Sequence, residues 1–278
     1  MTSTADAPTT FAIDEDPTRW GVNRGAGLPD AAREFLVREV GQATPHGQPD
    51  WSQLQVADSR LSAEQLADLA GIVGPDEVAT DRETRLRHGG GLSYLDLVAR
   101  RTGDIRAADA VVFPGDNAAV AALLAWCEKQ GVAVVTFGGG TSVVGGLRTG
   151  GIDRPTLMVS MARFDEILDI DEESRLVRVG AGMTGPRLER LLSPRGLTTG
   201  HFPQSWARAT FGGYAATRSA GQSSTGYGRS DQMIEGVHVV TPRGEVEAGH
   251  FAATAAGPDL RGVFIGSEGA FGIITEVV

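Results

Sequence analysis

The sequence predicts an α+β fold, and three observations lead to that prediction. The first hundred residues show helix-like apolar spacing between loops that are rich in Gly, Pro and Asp. A strand–helix–strand pattern begins near residue 109, and the segments after residue 155 have the pattern of short strands joined by tight turns. This order differs from the regular strand–helix alternation of a doubly wound sheet.

The composition is that of a globular protein with an acidic surface. Of the 278 residues, 41% are hydrophobic and 22% are charged, which are ordinary values, and the net charge is −10. Nonspecific nucleic-acid binding needs a basic face, so no nucleic-acid partner is expected. We see neither a signal-peptide pattern nor an apolar run of transmembrane length, and therefore expect a cytoplasmic protein.

The single cysteine, Cys127, excludes an intramolecular disulfide and a cysteine-cluster metal site. It falls among the apolar residues of a predicted helix, so we expect a buried thiol with a structural role. No metal is predicted.

The N-terminal part divides into a disordered head, residues 1–18, and a helical segment, residues 19–104. Predicted helices are Leu28–Val40, Ser62–Leu69 and Tyr94–Arg101, and Ser62 with Gln65 has the spacing of a capping box. We interpret His46 and His88 as exposed loop residues without a function.

A β-α-β unit follows. Ala110–Phe113 and Val132–Phe137 are predicted as parallel strands on either side of the helix Ala118–Gln130. Asp116 or Asn117 can cap that helix, and the following Gly131 is typical of a helix C-terminus.

The second strand of this unit runs directly into Gly138-Gly139-Gly140-Thr141-Ser142. Consecutive glycines can turn several backbone amides toward one point, and such a nest binds anions, most often phosphate. The two hydroxyls can donate to the same oxygens. The motif is neither a P-loop nor Gly-x-Gly-x-x-Gly, and an ordinary glycine-rich turn remains an alternative for this segment alone.

The remaining segments are predicted as antiparallel strands with one helix. The strands are Thr156–Met161, Glu166–Asp169, Leu176–Val179, Val237–Thr241 and Val246–Ala248, and the helix is Gly185–Leu192. The last two strands flank Pro242-Arg243-Gly244-Glu245, which indicates a hairpin.

Three further clusters rich in glycine and hydroxyls occur at residues 199–214, 216–228 and 266–275. Any one of them can be a simple turn. Together with the first glycine loop they favour a long, flat ligand lined by backbone, such as a dinucleotide, whose phosphates amides, hydroxyls and arginines would bind.

These motifs carry a family resemblance. The ordered set is Phe113-Pro114, Thr136–Val143, Thr199–Ser205, Ala216-Thr217-Arg218, Tyr227-Gly228, Val240–Gly244 and Gly266-Ser267-Glu268-Gly269. It resembles the PCMH-type FAD-binding domain of the vanillyl-alcohol-oxidase/p-cresol-methylhydroxylase superfamily, and within it most closely the alkyldihydroxyacetonephosphate synthase (alkylglycerone-phosphate synthase) family. The resemblance implies two α+β subdomains within an FAD-binding domain at residues 105–278.

The resemblance also implies roles for matching positions. The residues expected to bind FAD are Thr136, Phe137, Gly138, Gly139, Gly140, Thr141, Ser142, Pro203, Gln204, Ser205, Trp206, Ala207, Arg208, Ala209, Ala216, Thr217, Arg218, Ser219, Gly266, Ser267, Glu268, Gly269, Ala270, Phe271 and Gly272. His201 corresponds to a histidine beside the flavin that assists substrate chemistry, and a structural role for it is the alternative. The loop Gly138–Val143 contains no histidine, so noncovalent FAD is expected, and an aspartate at Gly139 is expected to place a carboxylate against the diphosphate.

For the function, three alternatives stay open. A synthase would exchange acyl for alkoxy on a lipid phosphate, acyl-dihydroxyacetone phosphate, without net redox change. An oxidase or dehydrogenase would oxidise a small 2-hydroxyacid of the D-lactate or glycolate type, and a flavin-binding chain would have no turnover of its own. The resemblance places a substrate-binding cap domain and the main catalytic residues beyond Val278, and a homodimer is a further expectation.

Overall fold

The computed structural model describes residues 27–42, 49–249 and 255–278, so the predicted disordered head and His46 lie outside the described residues. The helices are α1 Asp30–Val40, α2 Ala63–Val73, α3 Arg82–Arg87, α4 Tyr94–Thr102, α5 Asn117–Gln130, α6 Gly185–Leu192, α7 Phe211–Thr217, α8 Ser224–Tyr227, α9 Ser230–Met233 and α10 Arg261–Phe264. The strands are β1 Val78–Ala79, β2 Ala110–Val112, β3 Ala133–Phe137, β4 Thr156–Ser160, β5 Ile167–Asp171, β6 Leu176–Gly180, β7 Gly236–Thr241, β8 Gly244–Gly249 and β9 Ile273–Val277.

The first sheet has four strands in the order β1-β2-β4-β3. β2 and β3 both run parallel to β4, and β1 forms an antiparallel edge on β2. The predicted parallel direction of β2 and β3 is confirmed, although β4 lies between them. Our assignment of Thr156–Met161 to the antiparallel strands was wrong. All five β4 residues are buried, and a strand covered on both faces is typical of the middle of a parallel sheet.

The second sheet is antiparallel throughout, with the order β5-β6-β9-β7-β8. The hairpin predicted around Pro242 is confirmed. Thr241 pairs with Gly244, so the loop is the dipeptide Pro242-Arg243 and the two strands extend further than predicted. β9 was not predicted as a strand, because its first residues fall within the last glycine cluster.

The helix caps follow the sequence closely. The capping box of α2 is present, since the Gln65 amide donates to Ser62 Oγ and the Ser62 amide donates to Gln65 Oε1. Asp116, not Asn117, caps α5 by accepting a hydrogen bond from the Ala119 amide at 2.8 Å. Gly131 ends that helix with φ 69°.

One core joins the two sheets. It includes Val112 and Leu157 of the first sheet together with Val239 and Ile274 of the second. The α5 residues pack into the same core, and Cys127 is buried there as predicted. Burial raises the pKa of its thiol to about 12.

The segment before residue 105 is attached to this core by a buried carboxylate. Asp109 accepts hydrogen bonds from the Arg60 amide at 2.7 Å, from Arg60 Nη2 at 2.8 Å and from the Thr156 amide at 2.7 Å. Val78–Ala79 of the same segment adds a strand to the first sheet. The domain boundary at residue 105 stays a prediction.

We expected His88 to be exposed, but it is buried at the C-terminal end of α3. Its ring packs between those of Phe113 and Phe137, at centroid distances of 5.8 and 4.4 Å. The glycines that follow His88 suggested an open loop, and only tertiary packing closes it.

The helix α7 was also missed, because Gly212 and Gly213 lower helix propensity. The helix forms because its backbone lies directly on the second sheet. A Cβ on Gly212 would come within 2.6 Å of the Ala181 Cβ, and the Gly212 amide donates to the Ala181 carbonyl at 2.8 Å. Thr210 caps the helix by accepting from the Gly213 amide.

Candidate functional site

A cleft of about 880 Å³ lies where the two sheets meet. This volume lies within the range of about 300–1,000 Å³ typical of ligand pockets. Its walls are the glycine loop after β3, the segment leading into α7, the residues that end α7 and the turn before β9. The structure therefore brings the four glycine and hydroxyl clusters of the sequence to one place.

The first wall is the loop after β3. Thr136 and Gly138 to Ser142 line the cleft. A Cβ on Gly139 would overlap the Arg208 carbonyl oxygen and come within 2.8 Å of the Ala209 Cα. A side chain at Gly139 would therefore strike the opposite loop, and the expectation that an aspartate there meets the diphosphate stays a prediction.

Phe137 lies beneath this loop rather than in the cleft. It is buried, and a Cβ on Gly140 would be 2.5 Å from its ring. Gly140 has φ 65°, in the left-handed region that favours glycine. The turn of the loop thus depends on glycine for both its backbone conformation and its contact with Phe137.

Ser142 presents the most telling polar group of the loop. Its hydroxyl is buried and finds no hydrogen-bond partner among the described residues, although the residue lines the cleft. A buried hydroxyl without a partner is costly and needs an explanation, and a ligand that hydrogen-bonds to it provides one.

The second wall is the segment that precedes α7. Pro203, Gln204, Ser205 and Ala209 line the cleft, whereas Trp206, Ala207 and Arg208 do not. Hydrogen bonds from the Trp206 amide to the Pro203 carbonyl and from the Ala209 amide to the Ser205 carbonyl fold the segment into a tight turn. That turn directs its middle residues away from the cleft.

The third wall is formed by Ala216, Thr217, Arg218 and Ser219, all of which line the cleft. The Arg218 guanidinium also holds the neighbouring chain, since Nε donates to the Ile265 carbonyl at 3.0 Å and Nη2 to the Gly262 carbonyl at 3.1 Å. Arg218 therefore fixes the segment that leads into the fourth wall.

The fourth wall comprises Glu268, Gly269, Ala270, Phe271 and Gly272, whereas Gly266 and Ser267 lie outside the cleft. The Glu268 amide donates to the Ala216 carbonyl at 3.0 Å, which aligns this wall with the third. Glu268 Oε2 lies 2.9 Å from the place that a Cβ on Gly146 would take. Its carboxylate thus reaches across the cleft to the chain that follows the glycine loop.

His201 is buried and does not line the cleft. Its Nε2 lies 3.0 Å from Ser219 Oγ, and its ring meets the Tyr214 ring edge-on at 4.6 Å. Burial lowers the pKa of His201, so the ring is neutral at pH 7. His201 therefore contacts the cleft through the Ser219 hydroxyl.

Several cleft residues were missing from the sequence-based list. Thr210, Gly213 and Tyr214 belong to a cluster that we noted but did not assign to the site. Val143 ends a motif that we noted but did not assign to the site, and Met161 had no recognisable signal, because a residue at a strand end reaches the cleft only through the fold. In the described part of the chain, no group of three His, Cys, Asp or Glu residues is placed to hold a metal ion.

Residues 108–249 match the family model of the FAD binding domain. The chain belongs to this family. It is 38% identical over 214 residues to alkyldihydroxyacetonephosphate synthase of Trypanosoma brucei brucei, a match that covers 76% of this chain and 35% of the relative. It is 36% identical over 168 residues to the glycolate oxidase subunit GlcD of Escherichia coli K12, covering 60% of this chain and 33% of the relative.

A solved structure of alkyldihydroxyacetonephosphate synthase superposes with a TM-score of 0.77 at 29% identity, covering 88% of this chain and 47% of that one. The chain thus spans about a third of the length of the curated relatives and about half of the solved structure. The predicted PCMH-type fold and the resemblance to the synthase family are confirmed.

The residues present fit FAD. The cleft combines an unsatisfied hydroxyl on Ser142 with a loop whose glycines leave no room for a Cβ, and its lining also includes apolar side chains such as Val143 and Phe271. A dinucleotide needs amides and hydroxyls at its diphosphate and apolar surface at its rings. The chain is therefore an FAD-binding flavoprotein of the oxidoreductase superfamily. Separately, no helix within the described ranges combines the length and the apolar character that crossing a membrane requires.

Proposed function

We propose that this chain binds FAD noncovalently in the cleft and is the cofactor-binding part of an alkylglycerone-phosphate synthase-like enzyme. The diphosphate would lie along the loop Gly138–Ser142, and the flavin would extend toward Ser219. The observation that carries the proposal is the similarity to the trypanosomal synthase over 76% of the chain.

Noncovalent binding is supported by the side chains of the cleft. Among the described residues that line it, none is a histidine or a cysteine. His201 is buried behind Ser219, and Cys127 is buried in the core. Histidine is the residue type through which some relatives attach the flavin covalently.

The substrate in this proposal is an acyl-dihydroxyacetone phosphate. The acyl group leaves together with its ester oxygen as a carboxylate, so the bond between that oxygen and the dihydroxyacetone carbon breaks. An alcohol loses its hydroxyl proton, its oxygen bonds to the same carbon, and no net oxidation occurs. Bound FAD would supply the electrophilic and electron-accepting chemistry. The chain's own residues would orient the cofactor, and Ser219, held by His201, would place one hydroxyl beside it.

The similarity to the glycolate oxidase subunit supports a second candidate, oxidation of a small 2-hydroxyacid of the D-lactate or glycolate type. A third candidate is flavin binding without turnover by this chain. We further propose a cytoplasmic protein without nucleic-acid partners, and a homodimer.

The visible spectrum of the purified chain, before and after acid precipitation, tests the cofactor assignment. We expect flavin bands that move into the supernatant. Bands that stay with the precipitate would overturn noncovalent binding, and a colourless protein that takes up no added FAD would overturn the proposed function.

Anaerobic spectra distinguish the reactions. With D-lactate or glycolate the flavin of a dehydrogenase bleaches, whereas acyl-for-alkoxy exchange leaves it oxidised after turnover. Bleaching by a 2-hydroxyacid would replace the synthase assignment with the second candidate. If the chain binds FAD but shows neither bleaching nor acyl-for-alkoxy exchange, the third candidate, flavin binding without turnover, is the one that remains.

A further inference from the structure

The segment comprising residues 88–100 lies before the part of the chain that matches the FAD binding domain, yet it packs against the back of the glycine loop. The Leu92 amide donates a hydrogen bond to the Ser142 carbonyl at 2.7 Å. A Cβ on Gly91 would overlap that same carbonyl oxygen. The backbone at the last residue of the loop is therefore fixed from outside the cleft.

The middle of the loop is supported by stacked rings. The His88 ring lies 4.4 Å from the Phe137 ring, and Phe137 in turn fills the space beneath Gly140. His88 Nδ1 is 2.8 Å from the Thr84 carbonyl, and since a carbonyl only accepts, this nitrogen carries the proton. That hydrogen bond orients the ring against Phe137.

An ion pair holds the chain that follows the loop. Asp96 Oδ1 lies 3.1 Å from Arg148 Nε, and only 4% of the Asp96 side chain is exposed. The same carboxylate caps α4 by accepting from Ser93, and Arg100 Nη2 donates to the Gly90 carbonyl at 3.2 Å. The helix α4 is thus tied at its start to Arg148 and at its last turn to Gly90, the neighbour of the Gly91 that contacts Ser142.

We propose that residues 88–100 form a clamp that positions residues 138–148 for a diphosphate, and so favour a dinucleotide flavin over a flavin without phosphate. This inference rests on the proposed placement of FAD. Gly91, Leu92 and Asp96 do not line the cleft, so their role is to position the loop and not to bind the ligand.

The two ligands FAD and riboflavin separate positioning from general stability, because they share the ring system and differ in the diphosphate. We would measure both dissociation constants by flavin fluorescence on the full chain. Gly91→Ala pushes against the Ser142 carbonyl, and we expect about a tenfold loss of FAD affinity with less than about a twofold change for riboflavin. Gly71→Ala in α2 is the matched control, because no atom lies within 4 Å of its Cβ position.

Asp96→Asn keeps the side-chain volume and breaks the ion pair with Arg148. This variant therefore tests the clamp if Gly91→Ala does not fold. Removing a negative charge behind the loop would by itself strengthen the binding of an anionic diphosphate. Weaker FAD binding in this variant therefore reports lost positioning. Arg148→Gln removes the other partner, and we expect the double variant to lose no more FAD affinity than the weaker-binding single variant.

Equal losses for FAD and riboflavin, or no loss for either, would overturn the clamp. Wild-type protein that binds no FAD would overturn the proposed function, and with it this inference. If the wild type binds FAD, and the ratio of FAD affinity to riboflavin affinity is unchanged in both Gly91→Ala and Asp96→Asn, the clamp alone is overturned.

Discussion

The carbonyl oxygen of Arg208 occupies the place that a Cβ on Gly139 would need, so the two loops meet backbone to backbone. Gly138 also lies close to the second wall, since a Cβ on it would be 2.5 Å from Thr210 Oγ1. The glycines after β3 therefore have two roles: they allow two walls of the cleft to come into contact, and they leave backbone amides exposed within the cleft.

Gly139→Ala tests this contact. One added methyl group meets backbone atoms that cannot rotate away, so we expect a loss of about 1–3 kcal/mol in the free energy of unfolding, measured by urea denaturation without FAD. Gly226→Ala is the control, because nothing lies within 4 Å of its Cβ position. Equal stability of the Gly139→Ala variant and the wild type would show that the loops do not pack as described.

How much the sequence predicts depends on whether a feature is local. The glycine loop at residues 138–142, the capping box at Ser62 and the hairpin at Pro242 are decided by residues close together in the chain, and each was predicted. The central position of β4 was not. Its apolar run fits either sheet, and pairing with strands some 20 and 45 residues away decides between them.

The candidate site shows the same limit. Consecutive glycines identify a loop but not what lies behind it, so the contacts of Gly91 and His88 with that loop could not be predicted. The family resemblance implied that His201 lies beside the flavin, with a structural role as the alternative. Only the fold shows that Ser219 stands between this histidine and the cleft.

The unsatisfied hydroxyl of Ser142 predicts an asymmetric effect of Ser142→Ala. Without ligand, the variant loses a buried group that has no partner, so its stability should equal or exceed that of the wild type. With FAD, a hydrogen bond to a charged group is lost, and such bonds contribute about 1.5–3 kcal/mol. We expect FAD binding to weaken about tenfold or more.

Ser160→Ala is a matched control for that experiment. Ser160 also has a buried hydroxyl without a partner among the described residues, but it does not line the cleft. Its FAD affinity should stay within about twofold of the wild type. If both serine variants bind FAD equally well, the diphosphate does not lie at Ser142.

The buried carboxylate of Asp109 predicts a stability contribution that depends on pH. Burial raises the pKa of Asp109, but hydrogen bonds from Arg60 and Thr156 outweigh that effect and lower the pKa below its ordinary value of 3.8. Its contribution is therefore complete above pH 3.8 and is lost as the pH falls through the lower, folded-state pKa.

Asp109→Asn removes the charge and places amide hydrogens against donors. We expect about 3 kcal/mol less free energy of unfolding at pH 7, near the lower end for a broken buried pair, because Arg60 is about half exposed. The difference from the wild type should shrink in acid, which urea denaturation at pH 7 and pH 3 measures. A difference that stays constant over this range would mean that folding does not lower the pKa of Asp109.

His201 predicts a pH dependence of the same sign as that of Asp109, but one that begins at a higher pH, near neutrality. Burial lowers the pKa of His201 below its ordinary value of 6.5, so the folded protein keeps the ring neutral while the unfolded chain takes up a proton. Stability must fall as the pH drops below 6.5, by at most about 1.4 kcal/mol per pH unit for this group. His88 is buried with a lowered pKa as well and adds its own share.

His201→Gln keeps an amide nitrogen near Ser219 and cannot be protonated. The substitution can lower the free energy of unfolding at pH 7.5 through lost packing. Between pH 7 and 5, however, the free energy of unfolding should fall less steeply in the variant than in the wild type. The part of the fall that His88 causes should remain. The slope is the informative quantity, because a packing defect lowers stability equally at every pH. An unchanged slope would mean that the folded protein protonates His201 as readily as the unfolded chain, which burial against Tyr214 and Ser219 argues against.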